Sequence, residues 1–295
     1  MHDLVHDLAL DVSQKECKTV NSKTETVDEN VRHLLLCDGK LVGVPRVLEE
    51  MKNVRTYLRA LGLRKSPLMA LPNSIGTLKH LRDLDLGGCW SIRELPRSFD
   101  KLRSLQSLNL GDTRLKQLPD SVQRELECLP EGMQYLKSLR TLIVDGCVEL
   151  VSLPRSLKFL TKLEHLEIVM CHRIKLKMEP EEEEDKDLQL SLKTLTLLGC
   201  DLRDLPRLLL QGSSSTLQQL RIEFCPNLSV LPVWLPNLTS LQNLEIVNCR
   251  KLSALPEGID RLTNLRELRI YGCPELSKRY RENGGEDWHK IAHIQ

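Results

Sequence analysis

One pattern recurs along the chain and constrains it more than any other feature: Leu-x-x-Leu-x-Leu-x-x-Cys. It runs from Leu81 to Cys89, Leu105 to Thr113, Leu139 to Cys147, Leu163 to Cys171, Leu192 to Cys200, Leu217 to Cys225, Leu241 to Cys249 and Leu265 to Cys273. Val144, Ile168, Ile222, Ile246 and Ile270 stand in for the third leucine in five copies. Successive copies start 24, 34, 24, 29, 25, 24 and 24 residues apart. An earlier copy, Leu58 to Ser66, lies 23 residues before the first, and a weaker one surrounds Val31 to Leu36. Each copy predicts a short strand whose alternate side chains point to one side. A single strand cannot bury those leucines; stacked neighbours can.

A period of 20–29 residues with this spacing is the leucine-rich-repeat signature. It predicts an α/β chain: a curved solenoid, or horseshoe, with a parallel β-sheet on its concave side and return segments on its convex side. The 61 leucines, about a fifth of 295 residues, supply the core.

Seven of the eight copies carry Cys at the ninth position, and Thr113 fills it in the other. A small buried side chain is needed where the chain leaves the strand, and a thiol or hydroxyl there can donate to a backbone carbonyl. That structural reading is preferred over a metal or redox role, because no Cys-x-x-Cys or paired zinc-type spacing occurs. The return segments carry their own mark, Leu-Pro, at Leu71, Leu95, Leu118, Leu129, Leu153, Leu205, Leu231 and Leu255. Proline fixes φ and lacks a donor, so it ends an extended piece and can open a helical turn. The 34-residue step holds two return motifs only 11 residues apart, as if two repeats had fused. The 29-residue step holds the acidic run Glu179 to Asp187, read as a solvated loop, with a contact for a basic partner as the sharper reading.

Composition excludes several functions. With 42 Lys+Arg against 41 Asp+Glu the net charge is +1, which argues against an electrostatic role on nucleic acid or an anionic membrane. Aromatics are 3%, too few for base-stacking platforms. No apolar run approaches the roughly 18 residues of a membrane span, and the opening Met1-His2-Asp3-Leu4-Val5-His6-Asp7 does not read as a secretory signal. No catalytic constellation is present: Gly-x-Ser-x-Gly is absent and no Cys sits beside a His in a defined elbow. His2 and His6 are four apart, as are His289 and His293, but a histidine pair alone does not make a metal site. The chain is therefore expected to be no enzyme and to hold no metal and no cofactor.

Function is then expected on the residues between the inward leucines. One outward column reads Asp85, Asn109, Ile143, Glu167, Thr196, Arg221, Glu245, Arg269; the next reads Gly87, Gly111, Asp145, Val169, Leu198, Glu223, Val247, Tyr271. The candidate protein-binding residues are Arg221, Glu223, Glu245, Val247, Arg269 and Tyr271, where an Arg-Glu-Arg ladder runs beside exposed apolar groups. The competing reading is a surface charge ladder that only neutralises itself.

The opening Met1-His2-Asp3 resembles the Met-His-Asp motif of plant intracellular disease-resistance proteins, which join a coiled coil, a nucleotide-binding switch and leucine-rich repeats. Val31-Arg32-His33-Leu34 is similar to the entry to their repeats, and Gly285 to Ile294, Gly-Glu-Asp-Trp-His-Lys-Ile-Ala-His-Ile, to the tail of many members. The resemblance implies a short helical remnant of a winged helix at residues 1–28, repeats at 29–280 and a tail at 281–295. It implies a cytoplasmic protein-recognition module that senses a pathogen effector or guarded host protein and restrains the switch. The family's motif His contacts bound ADP, a role that would map onto His2 only if the nucleotide-binding region were present. No Gly-x-x-x-x-Gly-Lys-[Ser/Thr] loop occurs here, so the expectation is a C-terminal portion of such a receptor. The alternatives are a free-standing intracellular scaffold for signalling proteins and an extracellular ectodomain, for which Asn227-Leu228-Ser229 and Asn237-Leu238-Thr239 would be glycosylation sequons.

Overall fold

The computed structural model describes residues 16–20, 31–36, 57–116, 132–176, 188–282, 284–292 and 294. The chain divides into two compact units, Met1–Cys147 and Val148–Gln295. Of the helical remnant expected at residues 1–28 only 16–20 are described; the paired return motifs at 118–130 and the acidic run at 179–187 lie outside the described residues.

In the first unit the strands are β1 (Cys17–Val20), β2 (His33–Leu36), β3 (Ala60–Gly62), β4 (Asp83–Asp85), β5 (Ser107–Asn109) and β6 (Thr141–Asp145). Each pairs in parallel with its successor. The second unit holds β7 (His165–Val169), β8 (Thr194–Leu198), β9 (Gln219–Glu223), β10 (Asn243–Val247) and β11 (Glu267–Tyr271), again parallel and in sequence order. Each unit is leucine-rich-repeat solenoid, the architecture the period demands. The leucine spacing does not reveal β1: Cys17-Lys18-Thr19-Val20 has the β-branched residues of a strand but no leucine.

The register places equivalent leucines side by side. Leu61, Leu84, Leu108 and Leu142 are adjacent in the first unit, and Leu166, Leu195, Leu220 and Leu244 in the second; all are buried. Three-residue spacing brings the preceding leucine of each copy, such as Leu81 or Leu241, into the same core. The return segments behave as the prolines predict. Pro72, Pro96 and Pro154 are extended, with ψ of 151°, 153° and 143°, and single 3-10 turns follow at Asn73–Thr77, Arg97–Lys101 and Arg155–Phe159. After Pro206 a short α-helix forms instead, α1 (Arg207–Gly212), because three successive leucines, Leu208 to Leu210, all find buried positions there.

The ninth-position thiols carry the structural role expected of them. Cys89 Sγ donates to Leu63 O at 2.9 Å, Cys147 to Leu110 O at 3.0 Å and Cys200 to Ile168 O at 3.6 Å, each reaching a carbonyl of the preceding copy. Cys225, Cys249 and Cys273 repeat the contact at 3.8–3.9 Å. Burial pushes the Cys89 and Cys200 thiols up to about 11, so both stay protonated donors at neutral pH and neither is an activated nucleophile.

The second unit ends in a small cap. The helix α2 (Pro274–Arg279) follows β11, and Tyr280, Ile291 and Ile294 bury their side chains beyond it. Asp287 ties the cap together: it receives Arg279 Nε on one carboxylate oxygen and Lys290 Nζ on the other at 2.7 Å. These two cations hold its carboxyl below the ordinary value, Lys290 contributing most. Cover is still incomplete over the last strand, where Leu268 and Ile270 are half-buried rather than buried.

Two outcomes follow. Leu244→Ala leaves a cavity between two strands and is expected to cost about 3 kcal/mol in chemical denaturation, whereas Leu268→Ala costs less than half of that; equal losses would show that β11 is covered as fully as β10. Because the folded state depresses the Asp287 pKa, its pairing contributes stability above a pH of about 4 and loses it as pH falls through the depressed value. Amide exchange in residues 280–294 should therefore rise below that pH in the native chain, while Asp287→Asn exchanges fast at all pH values.

Candidate functional site

The outward residues of each strand form three columns, and the register aligns them as the sequence predicts. In the second unit the middle column is Glu167, Thr196, Arg221, Glu245, Arg269, and the third is Val169, Leu198, Glu223, Val247, Tyr271. All six candidate residues therefore lie on one face, on the three adjacent strands β9 to β11. Their charges are largely consumed among themselves. Arg221 places Nε 3.0 Å and Nη2 2.5 Å from the same Glu223 oxygen and lies 3.5 Å from Glu245. The Glu223 hydrogen bond holds the Arg221 guanidinium above its ordinary range. Arg269 turns to Glu267 of its own strand, at 2.6 Å, so the cross-strand ladder stops at Glu245. What the network leaves available is apolar: Tyr271 is 73% exposed, and Val247, Leu198 and Val169 are half-buried on the same face.

The face of the first unit has a different chemistry. Asp85 and Asn109 face each other on neighbouring strands, with Asn109 Nδ2 donating to Asp85 at 3.0 Å. Each also accepts the backbone N–H of the glycine two residues on, Gly87 and Gly111, at 2.9 Å. The result is a flat polar surface with no apolar side chain at those glycines.

A further column was not legible in the spacing of leucines. At the eighth position of each copy, one residue before the ninth-position Cys, Thr or Ser, the backbone is left-handed: Lys65, Gly88, Asp112, Gly146, Met170, Gly199, Phe224, Asn248 and Gly272, with φ between 51° and 76°. In most of these copies a backbone bond accompanies it. Met170 N donates to Leu198 O at 2.7 Å, Gly199 N to Glu223 O at 2.8 Å, Phe224 N to Val247 O at 2.9 Å and Asn248 N to Tyr271 O at 2.8 Å, one more rung beyond each strand. The positive φ then turns the chain so that the next side chain enters the core. Gly, Asn and Asp tolerate this conformation, whereas it costs other L-residues about 1–2 kcal/mol. Met170 and Phe224 adopt it nonetheless, and both project to solvent, 44% and 52% exposed. The signal was present in sequence as glycine enrichment one residue before Cys, with Met170 and Phe224 as the apolar exceptions.

Between these two side chains lies an open groove of ≈ 630 Å³, lined by Met170, His172, Leu198, Gly199, Cys200, Asp201, Phe224, Pro226 and Asn227. Gly199 is its floor: a Cβ there would collide with Met170 Sδ. On its rim Asn227 donates to Asp201 and accepts from Lys251 Nζ at 2.6 Å. Among the described residues no cluster of His, Cys, Asp and Glu could hold a metal ion.

Comparison with known proteins places this geometry. Residues 45–179 match the family described as leucine-rich repeat region. The disease resistance protein RGA1 of Solanum bulbocastanum is 39% identical over 93 residues, 32% of this chain and 9% of that protein. Disease resistance RPP13-like protein 4 of Arabidopsis thaliana is 27% identical over 183 residues, 48% of this chain and 21% of that protein. The chain carries leucine-rich repeats like those of plant disease-resistance proteins. It spans between 9% and 21% of the length of the curated relatives it matches. Two solved structures share the fold: the leucine-rich-repeat domain of the type III effector XopL, with TM-score 0.53, 24% identity and coverage of 93% of this chain and 81% of that one; and the ectodomain of the Arabidopsis thaliana membrane receptor kinase GASSHO1/SCHENGEN3, with TM-score 0.52, 23% identity and coverage of 82% and 30%. No helix among the described residues of the repeat chain is long and apolar enough to cross a membrane.

The left-handed column gives a measurable outcome. Phe224→Ala and Phe224→Gly both delete the ring, but only glycine relaxes the positive φ. The glycine variant is expected to be the more stable by about 1 kcal/mol in urea denaturation, the reverse of the usual Ala-over-Gly order; a more stable alanine variant would mean that position 224 is not held left-handed.

Proposed function

We propose that this chain is the protein-recognition module of a plant immune receptor, sensing a pathogen effector or guarded host protein through the outward sheet face of its second unit. The observation that carries the reading is the partition of that face: Arg221, Glu223, Glu245, Glu267 and Arg269 are paired with one another, while Tyr271 is exposed and Val247, Leu198 and Val169 are half-buried beside it. Surface of this kind, an aromatic side chain among arginines on a fixed sheet, is the composition of protein-binding hot spots. The similarity to disease-resistance proteins supplies the biological setting, and the restraint of a nucleotide switch belongs to the same proposal. The same reading makes the protein one that acts by binding and not by catalysis, in a cytoplasmic setting, with neither cofactor nor metal.

The rival scaffold reading predicts association with signalling proteins and none with a nucleotide-binding region. The ectodomain reading predicts a glycan on Asn227 or Asn237; here the Asn227 amide nitrogen donates to Asp201 and its oxygen accepts from Lys251.

The test is association in pull-down with a separately expressed nucleotide-binding region from a receptor of this family, and with effector candidates. Tyr271→Ala combined with Arg269→Ala should leave the melting temperature nearly unchanged, since exposed positions shift stability by under about 0.5 kcal/mol. It should weaken association about tenfold or more. Unchanged association with every partner that the native chain binds would remove this face from the recognition surface.

A further inference from the structure

The last strand of the second unit leaves a sheet edge open. Among the described residues β11 pairs with β10 on one side and with no strand on the other. Its bonds to β10 show which way its backbone faces. Glu267 N donates to Gln242 O at 3.1 Å, and Tyr271 O accepts from Asn248 N at 2.8 Å. In a parallel pair, alternate residues turn their N–H and C=O to the same neighbour. The amides and carbonyls of Leu268 and Ile270 therefore face the open side, where among the described residues they meet no backbone partner. The cap that follows closes on itself, with Tyr280 N bonding Leu276 O and Asp287 N bonding Arg279 O. The side chains of Leu268 and Ile270 are half-buried at the same edge.

An edge of this kind is a template for another strand unless something blocks it. In β1 something does: Lys18 stands at the register position of the inward Leu34, so a strand added there would meet a charge in its apolar column. β11 carries no such block. Leu268 and Ile270 continue the inward columns of Leu244 and Ile246, and the strand holds neither proline nor an inward charge. Its charges, Glu267 and Arg269, stand on the outward face, two residues apart and of opposite sign. That pattern makes the edge complementary to itself. When two β11 strands lie antiparallel about Leu268, Glu267 of each copy sits opposite Arg269 of the other as a close, non-hydrogen-bonded pair. Centring on Arg269 would oppose two arginines. Centring on Ile270 would set Arg269 against Tyr271 and leave Glu267 with no cation across from it.

We propose that two copies of this chain pair antiparallel through β11, in a two-fold dimer centred on Leu268. Leu268 exchanges both backbone bonds with Leu268 of the second copy, and Ile270 N donates to the Arg266 carbonyl of the second copy. Within the chain the equivalent carbonyl, Gln242 O, accepts the following strand in the same way. The Leu268 side chains of the two copies cover one another where the cap leaves them half-buried. A two-fold contact uses the same surface on both copies and closes at the dimer. A five-residue strand on each side buries less than a standard interface, so the dimer is weak and concentration-dependent. The proposal is independent of the protein-recognition reading, since it needs no other protein.

Sedimentation equilibrium of the full chain, from about 1 to about 200 µM, tests it. A monomer–dimer equilibrium is expected. Glu267→Arg and Arg269→Glu each set like charges opposite one another and should weaken self-association about tenfold. Mixed in equal amounts, the two variants should form a heterodimer about as tight as the native dimer, because every opposed pair is again of opposite sign. Ile270→Pro removes an edge N–H that β10 does not use, and should abolish the dimer. If that variant does not fold, the two charge variants on the outward face decide. A monomer at every concentration, growth past two copies, full-strength association of either charge variant alone, or a mixture that stays monomeric would each overturn the proposal. Any of these results leaves the protein-recognition reading standing, and a failed pull-down of other proteins leaves the dimer standing.

Discussion

A strand of three to five residues offers one or two inward side chains and no way to cover them. The whole chain depends on that insufficiency. Leu84 is buried because Leu61 and Leu108 lie beside it at the same register, and Leu244 because Leu220 does. Each copy supplies its neighbour's solvent exclusion, so the core is continuous within a unit and no copy has a core of its own. The terminal strand shows the principle by its failure: β11 has a partner on one side, and Leu268 and Ile270 are half-buried where their equivalents are buried. The Asp287-centred cap compensates only in part.

Stacking by side chains would leave the register free to slip, and the backbone prevents it. The left-handed residue after each strand carries its N–H to the next strand's last carbonyl, and the thiol that follows donates back to the preceding copy. Two bonds of opposite direction thus pin strand exits such as those of Gly88-Cys89 and Gly199-Cys200. Left-handed backbone is inexpensive with glycine, which serves at Gly88, Gly146, Gly199 and Gly272. Where Met170 and Phe224 replace it, the fold pays for side chains whose burial returns little.

The two units divide the outward surface by chemistry. Asp85, Asn109, Gly87 and Gly111 bond to one another and leave a flat polar face, whereas the second unit leaves apolar groups beside a self-paired charge network. The charges that stand out in the sequence, Arg221, Glu245 and Arg269, prove to be the better satisfied part of the face. Its less conspicuous members, Leu198, Met170 and Phe224, are the ones without partners.

Much of this was legible from sequence, for a simple reason. Inward and outward positions follow from a side-chain period of two, and a parallel register that aligns equivalent leucines is the only one that buries them all. The strands from β2 onward, the columns that contain Arg221, Glu223, Glu245, Val247, Arg269 and Tyr271, the 3-10 turns after proline and the role of the ninth-position thiols were thereby determined. What the tertiary structure decided was which charged side chains pair, because rotamers choose among neighbours that the sequence leaves equivalent: Arg269 had Glu245 and Glu267 within reach and took the latter. It also decided the backbone handedness of the eighth position, which is left-handed in every described copy whatever residue stands there. The groove between Met170 and Phe224 lies at those exits, and a period of leucines says nothing about the residues between one strand's end and the next turn.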